Sequence, residues 1–298
     1  MSSESVTVAL GALPPDSFAV VSLAATWVLV AMGLHLTFGM LGVVNLAHGE
    51  LMLAGAYTAY LVHALTGSLV LGLVLAAPAS AAVGWVIETS ILRRLYGRPL
   101  DTLLATFGVA IVLRQSIQLL AGPNLRAVPD PVGRTFRVGQ VLLPGWRLTV
   151  TLVTVLLAAA LWYAVARSLE GTRWRAVTTN PSMATTLAID VRRVRTTIFV
   201  LGSGITGLAG ALLAPLYSLS PQYGARFLVP AFVVVILGGA GSFLGLVLMG
   251  SLLGSVLGVL QFVVEPVSAQ TALLVVALVM LRSARRSKAW GGSAGTRP

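Results

Sequence analysis

The sequence predicts an all-α, polytopic integral membrane protein, a bundle of about eight or nine transmembrane helices. Of its 298 residues, 57% are hydrophobic and only 10% are charged, whereas soluble domains have about 25% charged residues. Several apolar runs approach 20 residues, the length that crosses a bilayer as a helix. The runs are continuous rather than alternating, and lipid offers open backbone groups no partner, so helices are favoured over a β-barrel.

Nine apolar segments account for the predicted spans. They cover residues 18–38, 44–65, 68–90, 102–121, 148–166, 197–217, 227–241, 243–264 and 268–281. The segments 227–241 and 268–281 are short, so eight spans with one re-entrant piece fit nearly as well as nine. Residues 1–17 contain no Lys or Arg and therefore lack the positive start of a signal peptide.

The placement of arginines predicts the orientation. Arginines cluster in the loops 92–101 and 167–196 and in the tail after 281. Even numbers of spans separate these regions, so all three lie on one side, which the positive-inside rule identifies as the cytoplasm. Residues 1–17 are then an external segment, 18–282 a single transmembrane domain, and 283–298 a flexible cytoplasmic tail. The proline-rich loop 122–147 also carries arginines and is predicted to be a folded external excursion.

The net charge of +11 is explained by this topology, so no nucleic-acid partner is expected. A P-loop is excluded because the only lysine, Lys288, is followed by alanine. Cysteine is absent, the metalloprotease H-E-x-x-H motif is missing, and the three histidines lack helical metal-binding spacing. We therefore predict no catalytic residue, no metal site and no cofactor in this chain.

The central polar stretch is 39–57, GMLGVVNLAHGELMLAGAY. It places Asn45, His48 and Glu50 within six residues of an otherwise apolar region. Intramembrane polar clusters are costly and usually functional, although each residue alone could sit in the headgroup layer at a helix end. The topology places Asn45 and His48 near the cytoplasmic mouth of an outward-running helix.

Other ionisable residues lie in or near the predicted spans. Glu88 is close to Arg93 and Arg94, which indicates an interfacial position. Arg114 falls well inside the run 102–121, so it must face the bundle or extend towards water. A pairing of Arg114 with Glu50 is a hypothesis at this point.

Two glycine patterns bear on packing. Gly250, Gly254 and Gly258 are four residues apart, a stripe that lets a neighbouring helix approach closely, inside the bundle or across a dimer. Gly238 and Gly239 belong to a glycine-dense stretch between two short apolar runs. That density favours either an interrupted helix lining a path or a plain tight turn.

The loop Glu170–Val194 is too polar to span the membrane. Asn180–Pro181 is a helix-start signal, since Asn caps and Pro at the first position loses no needed donor. The residues Pro181–Ile189 then form a short amphipathic helix with Met183 and Leu187 on one face, which Ala184 could also join. It could lie on the membrane among anionic lipids or fit a groove on a soluble partner.

Together these motifs resemble the permease subunits of branched-chain amino acid ABC transporters, the Liv type, and specifically their H-like subunit. The first motif covers Gly42–Glu50 (GVVNLAHGE) and the following Gly55–Tyr57. The second matches Gly171, Arg173, Arg175, Ala176, Val177, Asn180, Pro181, Ala184 and Ile189. A third similarity is Ile236–Ser242 (ILGGAGS). One departure is Ala188, which stands where the family has glycine.

The resemblance implies an importer of branched-chain amino acids or similar small polar solutes in the cytoplasmic membrane. A second homologous permease subunit would complete the translocation path. Two cytoplasmic ATPases would bind and hydrolyse ATP, and an external solute-binding protein would deliver the solute. Asn45, His48, Glu50, Gly238 and Gly239 become candidates for the path or gate. The residues expected to couple to the ATPases are Gly171, Arg173, Arg175, Asn180, Pro181, Ala184 and Leu187.

Three alternatives differ from this interpretation. Related permeases carry urea and short amides, so the solute could be of that kind. A passive channel would need no docking loop. An intramembrane enzyme would act through His48 and Glu50.

Overall fold

The computed structural model describes residues 17–122 and 124–291, and within them the chain is an almost entirely helical bundle. The helices are α1 (Ser17–Leu34), which continues as a π-helix (His35–Met40), α2 (His48–Thr66), α3 (Leu69–Ser90), α4 (Pro99–Ala121), α5 (Gly145–Arg167), α6 (Leu169–Thr179), α7 (Pro181–Thr186), α8 (Val191–Leu213), α9 (Ala225–Gly238), α10 (Phe243–Leu260) and α11 (Pro266–Gly291). A 3₁₀ turn (Leu92–Arg94) follows α3, and a hairpin of β1 (Thr135–Val138) and β2 (Val141–Pro144) precedes α5.

The predicted membrane helical bundle is confirmed. Each predicted segment corresponds to one of α1, α2, α3, α4, α5, α8, α9, α10 and α11. Within the described residues, six helices are long and apolar enough to cross a bilayer. The other three are α2, which carries His48 and Glu50, and the shorter apolar helices α9 and Pro266–Ala277. The count of eight or nine spans and the side of each terminus stay predictions.

Of the six long apolar helices among the described residues, α8 is the most deeply buried, and it packs against α1, α2 and α3. Its contact faces are built from small residues, because neighbouring backbones come very close. A Cβ on Gly55 of α2 would lie 2.0 Å from the carbonyl oxygen of Gly207, and one on Gly210 would lie 2.0 Å from that of Met52. Small side chains at these crossings allow van der Waals contact that larger ones would prevent.

The glycine stripe of α10 packs against α1 inside the bundle. Ideal Cβ positions at Gly250, Gly254 and Gly258 come within 2.8 Å of Val28, Ala24 and Val20 respectively. These contacts run in opposite directions along the two helices, so α1 and α10 are antiparallel. The stripe therefore serves intramolecular packing, one of the two uses that the sequence allowed.

The loop 122–147 is folded, as its prolines predicted. The strands β1 and β2 pair antiparallel with Thr135 opposite Pro144. Arg126 and Leu219 exchange two backbone hydrogen bonds of 2.9 and 2.8 Å, which join this loop to the segment between α8 and α9. Trp146, at the start of α5, donates from its indole to the carbonyl of Leu212 at 3.0 Å. Both loops thus close over the same end of the bundle.

The last helix extends further than the predicted domain boundary. Helix α11 continues to Gly291, so the first part of the predicted flexible tail, 283–298, is helical. A run without proline or glycine between 267 and 290 permits this continuation. The rest of the tail and nearly all of the predicted external segment 1–17 lie outside the described residues.

Candidate functional site

The break between α1 and α2 is the main irregularity in the bundle. After the π-helix, residues 41–47 leave helical geometry and α2 begins at His48. Gly42 adopts a φ of +69°, which glycine accepts without strain. Irregular backbone at membrane depth is tolerated only where protein or a water-filled cavity surrounds it. Much of this break is enclosed by protein, with Val43, Asn45 and Ala47 buried.

The start of α2 lies about two helical turns inside the C-terminal end of α3. Ser80 of α3 donates to the carbonyl of Leu51 at 3.1 Å, and α3 runs on to Ser90. At 1.5 Å per residue, His48 lies about 10 Å inside the end of α3. The placement of Asn45 and His48 near the cytoplasmic mouth stays a prediction.

Asn45 and His48 hold the break together and are almost completely buried. The side-chain oxygen of Asn45, Oδ1, accepts a hydrogen bond of 3.0 Å from the amide of Ala47. Its Nδ2 has no hydrogen-bond partner among the described residues. His48 Nε2 donates to the Val30 carbonyl at 3.2 Å, and its Nδ1 lies 3.3 Å from Thr206 Oγ1. His48 therefore joins α2 to both α1 and α8.

Thr106 of α4 contributes to the same site, and sequence reasoning missed it. Its hydroxyl donates to the Val44 carbonyl and accepts from the Leu46 amide, both at 3.1 Å. It thereby satisfies backbone groups that the break leaves without helical partners. The available signal was a threonine within an apolar span; Thr206, which contacts His48, carried the same signal.

Glu50 and Arg114 form the ion pair that the sequence suggested. Arg114 Nε donates to Glu50 Oε1 at 3.0 Å, and Arg114 Nη2 donates to the same oxygen. The Glu50 side chain is 2% exposed and that of Arg114 is 37% exposed. The pair joins α2 to α4 and neutralises two charges inside the spanning region.

We expect Glu50→Gln and Arg114→Gln each to lower the free energy of unfolding by about 2–3 kcal/mol, because each leaves an unpaired charge or donor in the bundle. The loss of unfolding free energy in the double variant should be about 1–2 kcal/mol smaller than the sum of the two single losses, since no unpaired charge remains. Unfolding in detergent, followed by tryptophan fluorescence, measures the three values. Strict additivity would show that the contact contributes no coupling.

A second buried carboxylate lies at the C-terminal end of α3. Glu88, predicted to be interfacial, is fully buried and pairs with Arg93 at 3.2 Å, while Thr196 donates to it at 2.9 Å. The Arg195 guanidinium lies 4.5 Å from the centroid of the Tyr96 ring. Burial, and then the Glu88 carboxylate, raise the pKa of the Tyr96 phenol. The network fastens the loop after α3 to the start of α8.

Gly238 and Gly239 form a tight turn between two antiparallel helices. Gly239 has a φ of +85°, and a Cβ on Gly245 would lie 1.8 Å from the Gly238 carbonyl oxygen. The 14 residues of α9 span about 21 Å, less than the roughly 30 Å of a bilayer core. At its other end Gly224 contacts Gly49, where a Cβ on Gly49 would lie 2.7 Å from the Gly224 oxygen. A short helix thus runs from the α2 start to the tight turn.

The loop between α5 and α8 forms two helices braced against the bundle. A Cβ on Gly171 would lie 2.3 Å from the carbonyl oxygens of Ala164 and Val165, so only glycine lets α6 lie against the end of α5. Trp174 and Val177 of α6 are buried. Arg175 donates to the Val165 carbonyl. Arg173 pairs with Glu170 on the exposed side.

Helix α7 begins as predicted and ends earlier. Asn180 Oδ1 accepts from the Met183 amide at 3.0 Å, and Pro181 occupies the first turn. Ala184 is buried, whereas Met183 and Leu187 are 62% and 65% exposed. Met183 and Leu187 therefore both face outward, whereas Ala184 faces the protein and does not share their face. The helix ends at Thr186 rather than Ile189.

The conformation of Ala188 explains why α7 ends at Thr186. Its φ of +57° is left-handed, and the amides of Ile189 and Ala188 donate to the carbonyls of Ala184 and Thr185 at 3.1 and 3.0 Å. This is the Schellman arrangement, in which glycine usually occupies the left-handed position. The alanine therefore holds a conformation that disfavours a Cβ.

We expect Ala188→Gly to stabilise this turn by about 1 kcal/mol, because glycine removes the left-handed strain. Hydrogen exchange at Ile189 should slow about fivefold. Ala184→Gly is the matched control, and it should act in the opposite direction because Ala184 is a buried helical residue. Equal effects of both substitutions would contradict the explanation.

Two cavities flank the loop helices. One, of about 320 Å³, lies between the π-helix, α6 and the glycine-rich turn, and is lined by His35, Gly39, Met40, Val165, Arg175, Thr178, Thr179, Gly241 and Phe243. The other, of about 370 Å³, lies between α6 and the start of α8. The first cavity therefore separates α6 from the π-helix that precedes the break between α1 and α2. Among the described residues, no group of three His, Asp or Glu side chains comes together as a metal site would require.

Comparison with known proteins shows the family of the chain. The family profile described as branched-chain amino acid transport system, permease component, matches residues 17–284. The chain belongs to this permease family.

The permease is 30% identical to the high-affinity branched-chain amino acid transport system permease protein LivH of Escherichia coli K12, over 78% of this chain and 81% of LivH. It is 29% identical to BraD of Pseudomonas aeruginosa, over 77% and 80% of the two chains. E. coli LivM is 27% identical over 78% of this chain and 61% of LivM. No solved structure matches the permease.

Proposed function

We propose that this permease is one of two membrane-spanning subunits of an ATP-binding cassette importer for branched-chain amino acids. The LivH and LivM relatives carry that transport activity in their names, and both are similar to this chain, which supports a second homologous permease as its partner. Two ATPase subunits on the cytoplasmic side and an external solute-binding protein complete the assembly. ATP binds to the ATPases, and membrane lipid surrounds the permease pair.

The observation that carries this proposal is the outward exposure of Met183 on α7 and of Leu187 directly after it. These two large apolar side chains are exposed on a short helical segment that is fixed by the Asn180 cap and by buried Ala184. Large apolar side chains held out from a rigid support are what a helix-in-groove interface requires. The ATPases are the partner that this surface fits, in preference to the lipid surface also considered.

Motion of the ATPases would be transmitted through α6 to the break between α1 and α2. Helix α6 rests on the end of α5 at Gly171, and its Arg175 and Thr178 line the cavity that His35 and Gly39 of the π-helix also line. A π-helical turn is a common site of functional adjustment within a helix. Displacement of α7 would close or open this cavity and shift the π-helix, and with it residues 41–47, between outward and inward arrangements.

Asn45, His48 and Glu50 then act where the path narrows, at the start of α2. Gly238 and Gly239 permit the turn that sets the short α9 beside this point. In this account His48 and Glu50 position helices and do not perform chemistry, which is the difference from an intramembrane enzyme. ATP hydrolysis belongs to the partner chains.

Purification from native membranes in mild detergent tests the assembly. A tagged permease should bring with it a second permease-like chain and an ATPase. Uptake of labelled leucine by cells that depend on this system should be inhibited by valine and isoleucine and not by urea or acetamide. Isolation of the permease without any ATPase would overturn the proposal. Inhibition by urea or amides alone would favour the alternative solute class.

A further inference from the structure

The outer half of α4 exposes polar side chains on a spanning helix. Arg114 is partly exposed, and Gln115 and Ser116 beside it are exposed. Polar groups facing lipid are costly, so such residues face a water-filled cavity or another subunit. Arg114 is the more exposed member of the Glu50–Arg114 pair, so the pair meets the surroundings of the chain on this face of α4.

The contact between the two side chains leaves Glu50 Oε2 and the Nη1 group of Arg114 uninvolved. Both Arg114 bonds, from Nε and Nη2, go to Glu50 Oε1. Glu50 Oε2 is buried and has no hydrogen-bond partner among the described residues. Buried carboxylate oxygens normally accept hydrogen bonds. An unsatisfied carboxylate oxygen next to a partly exposed guanidinium matches a ligand that carries one ammonium and one carboxylate.

We propose that Glu50 and Arg114 form the binding site for the main-chain zwitterion of an amino-acid solute. The solute ammonium donates to Glu50 Oε2, and the solute carboxylate accepts from Arg114. This inference rests on the proposed function, because it names the chemistry by which this path accepts an amino acid.

Charge balance favours exchange at this site. Without solute, the two side chains neutralise one another; with solute, each meets the opposite charge of a molecule that is neutral overall. No uncompensated charge is buried in either state, so the large penalty for an isolated ion inside the membrane does not arise. Urea and simple amides carry no such pair of charges and gain nothing from the site.

Tyr57 extends the polar face towards the other end of α2. Seven residues separate it from Glu50, which places both on the same helix face. Its hydroxyl is buried without a described partner. The Tyr57 and Tyr60 rings pack edge-to-face with a centroid separation of 6.2 Å, and the Arg126 guanidinium lies 5.9 Å from the Tyr60 centroid. These residues connect the ion pair to the folded loop 122–147.

Thiol labelling tests this site directly, because the chain contains no cysteine. The complete transporter carrying Gln115→Cys keeps the ion pair intact and reacts with a methanethiosulfonate reagent in proteoliposomes. We expect saturating leucine to slow this reaction at least fivefold. Leucinamide, which lacks the carboxylate, and 4-methylpentanamide, which lacks both charges, should have little effect.

Transport provides the second measurement. Arg114→Gln should lower the leucine transported per ATP at least tenfold at saturating loaded binding protein, while ATP hydrolysis continues. Arg114→Lys should retain part of the transport because it keeps the cation. Glu88→Gln is the matched control: it breaks the other buried carboxylate–arginine pair and should leave transport per ATP unchanged.

The outcomes separate this inference from the proposed function. Equal protection by leucine and 4-methylpentanamide, or none by either, would overturn the zwitterion site while wild-type leucine uptake stands. Equal losses for Arg114→Gln and Glu88→Gln would also overturn it, since both pairs would then be structural. Absence of amino-acid uptake by the wild-type transporter would instead overturn the proposed function, and the zwitterion site with it.

Discussion

Replacing Met183 and Leu187 together by aspartate is expected to abolish ATP-driven uptake while leaving the permease folded. Both side chains are mostly exposed, so few contacts within the chain are lost. In an interface they would fill apolar pockets, and buried anchor residues commonly contribute 2 kcal/mol or more each. Affinity for the ATPases should fall about 100-fold or more.

Co-purification of the ATPases and the initial rate of leucine uptake measure this effect. Thr172→Asp, on the exposed side of α6, is the matched control, because it adds a charge to the same loop without removing an apolar anchor. Its uptake should stay near that of the wild type. Normal ATPase binding by the double variant would contradict the docking role of α7.

Replacing Gly55 by leucine is expected to prevent folding of the bundle. The first side-chain carbon alone would lie 2.0 Å from the carbonyl oxygen of Gly207, and the neighbouring atoms are also backbone. Neither helix can yield by a rotamer change, so α2 and α8 would have to separate. Overpacking commonly costs about 1–3 kcal/mol even where side chains can adjust, and this contact has no such freedom.

Gly108 in α4 provides a control of the same chemical kind. Nothing lies within 4 Å of its ideal Cβ position, so Gly108→Ala should raise the stability of the purified chain by up to about 1 kcal/mol through helix propensity. Thermal unfolding of the chain in detergent, measured by size-exclusion fluorescence, compares the variants. A Gly55→Leu chain as stable as the wild type would contradict the observed packing of α2 on α8.

Patterns that depend on neighbouring residues were predictable from the sequence. Continuous apolar runs located every long helix, because a span must satisfy its backbone internally. Asn180–Pro181 located the start of α7, since capping is decided by adjacent residues. The Glu50–Arg114 contact was accessible as a hypothesis because two opposite charges within spans have few other partners.

Features that depend on three-dimensional fit were not predictable. His48 contacts Val30 and Thr206, which are 18 and 158 residues away in sequence. Glu88 accepts a hydrogen bond from Thr196, 108 residues away, a contact that its neighbour Arg93 did not indicate. The end of α7 depends on an alanine in left-handed geometry, which residue preferences alone disfavour. Tertiary contacts decided each of these cases.

ATP-dependent accumulation of leucine in proteoliposomes tests the central claim most directly. The vesicles contain this permease, its partner permease and the ATPases, with ATP in the lumen and loaded binding protein outside. The account predicts uptake beyond equilibrium that requires hydrolysable ATP and falls sharply in the Asn180→Ala, Pro181→Ala variant. Uptake that stops at equilibrium, proceeds without ATP and is unchanged in that variant would contradict it and identify a passive channel.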